Sequence, residues 1–140
     1  MWAIYALLSS ITAALVAIFG KIGLKDVDTT LATTIRSIIM AGVLVLTSLA
    51  LRKFDGFSLQ SFGGRDWLMI ALSGIAGALS WLFYFFALKI GGASRVAAID
   101  RTSIVFVVIF AALFLGETFG WKSALGALLM TFGAMLISFS

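Results

Sequence analysis

The feature that most restricts this chain is the spacing of its charges, which separate long apolar runs and rarely interrupt them. Residues 1–20 carry no charged side chain, and that run ends at Lys21, Lys25, Asp26 and Asp28. A second run, about 30–51, holds only Arg36. A polar connection follows, from Arg52-Lys53 through Asp55 to Arg65-Asp66, and residues 67–88 are again uncharged up to Lys89. The fourth run, about 95–115, has Asp100 and Arg101 near its start, and the last, 121–139, has only Lys122. A helix needs roughly 17–25 mostly apolar residues to cross the hydrocarbon core. Each run meets that length. Strands of a membrane barrel would be ~10 residues long and alternate in polarity, which these runs do not. The expectation is an all-α integral membrane protein: five transmembrane helices forming a single domain over 1–140.

Composition leads the same way. Apolar residues make up 62% of the chain, charged residues 11%, and the mean hydropathy is +1.17, more than a soluble domain of this size could hide from water. Cysteine and histidine are absent, which removes disulfides, thiolate chemistry and the commonest metal ligand. The net charge of +4 is dispersed among apolar runs, a pattern of interfacial anchoring and not of a nucleic-acid surface. Nothing before Lys21 is basic, so the first run reads as a retained span and not as a secretory leader. In the connection, Phe54, Phe57, Leu59 and Phe62 suggest a loop that dips into the interface.

Basic residues divide almost evenly between the two faces. Arg52, Lys53, Arg65 and Lys122 fall on one side; Lys21, Lys25, Lys89 and Arg95 fall on the other, with Arg36 and Arg101 set deeper. Orientation is normally fixed by an excess of Lys and Arg on the cytoplasmic side. The balance here is met either by local effects on one face or by insertion in both orientations, followed by assembly as an inverted pair. Inverted halves fused in one chain are a common transporter architecture.

Arg36, Asp100 and Arg101 are the residues whose position inside spans demands a reason, since a charge in hydrocarbon costs at least ~2.5–3.5 kcal/mol. Arg36 lies about 10 Å into the second span at 1.5 Å per residue, and Asp100 and Arg101 enter from the same side to a similar depth. Asp100 and Arg101 point about 100° apart on a helix, so they cannot both face one partner. Pairing of Asp100 with Arg36 leaves Arg101 to bind an anion or to reach toward headgroups. A static salt bridge and one snorkelling arginine account for the same residues without any ligand.

The third run ends in Trp81, Phe83, Tyr84, Phe85 and Phe86. Trp81 shares a helix face with Tyr84 and Phe85, which suits an aromatic wall around a solute or an interfacial belt. Ser73, Gly74, Gly77 and Ala78 in the same run, and Gly126, Met130 and Gly133 in the last, form smooth faces for close helix approach. No nucleophile–base, metal-ligand or phosphate-loop motif is present, and Asp100 is the one acid inside a span. Enzymatic activity is not expected, and no cofactor is implied.

Trp81-Leu82-Phe83-Tyr84-Phe85-Phe86-Ala87-Leu88, then Gly91-Gly92-Ala93-Ser94-Arg95-Val96-Ala97-Ala98, then Ala112-Leu113-Phe114-Leu115-Gly116-Glu117 and Gly126 resemble the EamA domain of the drug/metabolite transporter superfamily. The likeness covers the whole chain and implies a single five-helix EamA-type repeat, where most members carry two inverted repeats in one chain. It implies a secondary transporter of small organic metabolites, amino-acid-like or other, assembled as an antiparallel homodimer in a prokaryotic plasma membrane. Arg36, Trp81, Tyr84, Asp100 and Arg101 are the expected solute-binding residues. Small multidrug resistance proteins are four-helix relatives with a glutamate in the first span, and this chain has no acid there. Unlike many members it also has no proline in the fourth span. The alternative function is a non-transporting scaffold or regulatory subunit of another membrane complex.

Overall fold

A computed structural model describes residues 1–58, 62–118 and 120–139. Helix α1 spans Trp2–Gly23, α2 Thr29–Ala50, α3 Gly64–Ile90, α4 Ala93–Asp100, α5 Ser103–Leu115 and α6 Trp121–Ser138. Because α4 and α5 form one stretch, Ala93–Leu115, five helical segments among the described residues are long and apolar enough to cross a membrane. No strand occurs among the described residues. Large apolar side chains such as Ile38, Leu46, Phe83, Leu113 and Phe132 are exposed, whereas four of the seven hydrophobic residues buried among the described residues are alanines: Ala17, Ala98, Ala127 and Ala134. Water would not tolerate that distribution over most of a surface. In lipid it is the expected one, since helices there associate through small residues that bring backbones close.

The chain divides into two compact units, one made of Met1–Ile22 with Ala87–Ser140 and the other of Gly23–Phe86. In the first, α4 and α5 both pack on α6. The same unit joins the end of α1 to the end of α3. Lys21 Nζ donates to the carbonyls of Leu88 at 2.6 Å, Gly91 at 2.8 Å and Lys89 at 3.2 Å. A helix C-terminus has carbonyls without intrahelical partners and carries the negative end of the helix dipole, so an ammonium satisfies both. Gly91 cannot be enlarged at this junction: a Cβ there would lie 2.8 Å from Val96 Cγ2 and 3.0 Å from the Ala87 carbonyl oxygen.

The second unit holds α2 and most of α3. Asp28 caps α2, its carboxylate accepting from the Leu31 N–H at 2.9 Å. Thr29 and Thr33 are buried, and the Thr33 hydroxyl donates to the Thr29 carbonyl at 2.7 Å, which lets a polar side chain sit in an apolar setting. Between the helices, the rings of Phe54, Phe57, Phe62 and Trp67 follow one another at 6.0, 5.9 and 5.4 Å between centroids. Leu59, expected in the same cluster, lies outside the described residues.

Two elements differ from the hydropathy boundaries. Helix α3 begins at Gly64 and includes Arg65 and Asp66, because Asp66 Oδ2 accepts from the Gly63 N–H at 3.0 Å and closes the helix start. The fourth span is interrupted at Arg101-Thr102. There the Thr102 N–H donates to the Ile99 carbonyl at 2.9 Å, its hydroxyl donates to the same oxygen at 2.7 Å, and the Val105 N–H donates to the Thr102 carbonyl at 3.0 Å. These are i to i−3 bonds, and ψ values of −15° and −12° at Arg101 and Thr102 match a tightened 3₁₀ turn. The span thus breaks without a proline, at the two residues that follow Asp100. It ends at Gly116, whose φ of +67° is the left-handed conformation that closes many helices.

Candidate functional site

Arg36 occurs in an apolar helix face of α2 because α3 supplies a surface for it. Its Cζ lies 3.8 Å from the centroid of the Trp81 ring and 5.1 Å from that of Phe85. A guanidinium over an indole is held by the ring's negative face, an attraction of about 0.5–2 kcal/mol that strengthens as water is excluded. Trp81 is placed for this by α3, where Phe85 follows one turn later and stacks on it at 5.8 Å with the rings 30° apart. Tyr84 meets both edge-on, at 5.7 Å from Trp81 and 6.0 Å from Phe85. Phe85 is buried, while Arg36, Trp81 and Tyr84 are half-buried. The result is an aromatic platform carrying one cation, all within Gly23–Phe86.

The cation is incompletely satisfied. Among the described residues, Arg36 Nη1 is closed off from solvent and has no hydrogen-bond partner. Within its unit, the Arg36 guanidinium meets two ring faces, those of Trp81 and Phe85. Neighbouring hydroxyls are turned to the helix backbone: Thr33 to the Thr29 carbonyl, Thr34 to that of Thr30, and Ser37 to that of Thr33.

Of the five residues singled out from sequence, the structure brings Arg36, Trp81 and Tyr84 together, adding Phe85 as the buried base of the cluster. Asp100 and Arg101 belong to the other unit. Asp100 is the last residue of α4, Arg101 its C-cap, and both are exposed, at the 3₁₀ turn that interrupts the span. Charge inside a span was enough to single out Arg36. Its companion ring could be reached only as a member of an aromatic cluster, because a contact over this sequence separation leaves no local pattern. Lys21 was counted among the interfacial charges, yet it closes the end of α3; the signal that points to it is a lysine ending one span beside a Gly-Gly that ends another.

Small cavities also occur among the described residues of that other unit. One, of about 210 Å³, is lined by Val105, Val108, Ile109, Ala124, Ala127 and Leu128 of α5 and α6 and is apolar. The second, of about 110 Å³, includes Glu117, Thr118 and Ser123 at the turn between those helices.

The sequence model of the EamA-like transporter family matches residues 1–139. A Sinorhizobium sp protein named "Uncharacterized transporter in cobO 3'region" is 42% identical over 137 residues, which is 98% of this chain and 96% of that protein. No solved structure is significantly similar.

Proposed function

This chain belongs to the EamA-like transporter family, and from that membership we propose that it is a secondary carrier of small organic solutes, amino-acid-like or other. Two copies in opposite orientation would work by alternating access, in the plasma membrane of a prokaryote. The observation that carries the reading is the Arg36–Trp81 contact: a cation kept inside a membrane span, on a ring face, with one nitrogen lacking an acceptor among the described residues. A charge in that position is kept against a solvation cost of several kcal/mol, and intramembrane charges of this kind mark solute pathways. Arg36, Trp81 and Tyr84, with Asp100 and Arg101, are the solute-binding residues of this reading.

Three observations support the paired assembly. The similar Sinorhizobium protein, itself named a transporter, is matched over 96% of its length and so is also about one domain long. Basic residues divide nearly evenly between the faces. Asp100 and Arg101, about 10 Å along the fourth span, are exposed in the single chain and need something other than lipid against them. A second copy and the aqueous path between the two would supply it, with the 3₁₀ turn at Arg101-Thr102 as a point of flexure.

The test is counterflow of labelled organic solutes into vesicles holding the purified protein. Accumulation that depends on the same unlabelled solute inside supports the carrier. Vesicles that move none of a broad library of acids, amines, amino acids and sugars would leave a scaffold as the better account.

A further inference from the structure

We infer that Arg36 is the recognition point for a carboxylate on the solute, held through the edge of a guanidinium whose face rests on Trp81. This rests on the carrier reading and names the chemistry of its solute.

A guanidinium has two chemically distinct surfaces. Its flat face attracts an aromatic ring, and its edge presents N–H donors in a fork matched to a carboxylate. At 3.8 Å Trp81 occupies the face, with Phe85 beyond it. The ring takes up none of the edge donors, and Nη1 has no acceptor among the described residues.

The unit to which Arg36 belongs offers no anion at that depth. Its acids are Asp26, Asp28, Asp55 and Asp66. Asp28 caps the start of α2, Asp66 closes the start of α3, and Asp26 and Asp55 lie in the connections. The nearby threonine and serine hydroxyls donate to their own helix. An incoming carboxylate would provide the acceptor and the counter-charge together. The fork of Arg36 takes one carboxylate, and the adjoining rings of Trp81, Phe85 and Tyr84 offer an apolar surface to the rest of the molecule. The solute class is therefore an organic carboxylate with an apolar body.

The platform also supplies a reporter. With Trp2, Trp67 and Trp121 changed to Phe, Trp81 is the sole indole in the chain. Its emission, measured in nanodiscs, would be followed during titration with acid–amide pairs of matched shape: benzoate against benzamide, hexanoate against hexanamide. Because a charge-assisted bidentate contact is about twice as strong as a neutral one, the acid of at least one pair should act at a concentration about tenfold or more below its amide. Arg36→Gln should remove that gap between acid and amide, and Arg36→Lys should restore only part of it. Equal potency of acid and amide in the protein with native Arg36, or no effect of any acid, overturns the inference whether or not Arg36→Gln folds. Failure of the carrier reading looks different: no solute moves in vesicles, even where carboxylates bind.

Discussion

The ammonium of Lys21 donates to the Leu88 carbonyl at 2.6 Å, and this bond, with those to Lys89 and Gly91, fastens the end of the first span to the end of the third. A hydrogen bond to a charged group contributes about 1.5–3 kcal/mol, and a cation at a helix C-terminus adds a few tenths to ~1 kcal/mol. Lys21→Met keeps the stem and removes the donors. It should lower stability by roughly 1.5–3 kcal/mol in reversible unfolding from mixed micelles. A change under about 0.5 kcal/mol, the range of ordinary surface substitutions, would show that water takes over the three carbonyls without loss.

Thr102 lies at the interruption of the fourth span. Its hydroxyl and its N–H share the Ile99 carbonyl, an arrangement that valine, of nearly the same shape, cannot reproduce. Thr102→Val should let the span run more continuously from α4 into α5. Amide hydrogen exchange at Thr102 and Ser103 would slow at least severalfold in the variant. Unchanged exchange there would place the cause of the break elsewhere.

Arg36 and Trp81 should be energetically coupled. A double-mutant cycle built from Arg36→Met and Trp81→Leu isolates the pair, since each change removes the contact and leaves an apolar side chain. The coupling expected for a partly desolvated cation on an indole is about 0.5–2 kcal/mol. Additive effects, with coupling near zero, would mean that the 3.8 Å approach contributes nothing to the fold.

The near-even distribution of basic residues makes topology a sharp test of the paired assembly. The chain has no cysteine, so a single cysteine introduced near Met1 or, in a separate variant, near Ser140 is the only target for a membrane-impermeant maleimide. Insertion in both orientations predicts labelling from each side of the membrane in comparable amounts. Labelling from one side alone would exclude the antiparallel homodimer.

How far the sequence reached can be judged from these residues. The helices were legible because a run such as 67–88 has no charge to place in hydrocarbon, whatever it packs against. Helix α3 nevertheless starts earlier, at Gly64, since hydropathy registers Arg65 and Asp66 only as polar, whereas the Asp66 carboxylate caps a helix start. The break at Thr102 was hidden for a related reason: a hydroxyl bond to a carbonyl three residues back leaves the apolar pattern intact. Arg36 and Trp81 were each identifiable, one as a charge in a span and the other as part of an aromatic cluster. Their contact was not, because it depends on how α2 and α3 pack within their unit. The role of Lys21 was missed because a lysine at a span's end has an adequate explanation in the interface, and its acceptors are backbone atoms that composition does not register.

The most direct test of the central claim, that Arg36 on its aromatic platform serves solute movement, is counterflow of a labelled organic carboxylate in vesicles holding either the native protein or Arg36→Gln at equal density. Both proteins must first be shown to insert equally and to have the same helix content. The account predicts rapid exchange by the native protein and a loss of at least about tenfold in Arg36→Gln, the factor that corresponds to one charge-assisted contact of roughly 1.4 kcal/mol. Exchange by Arg36→Gln at the native rate and with the native KM would contradict it.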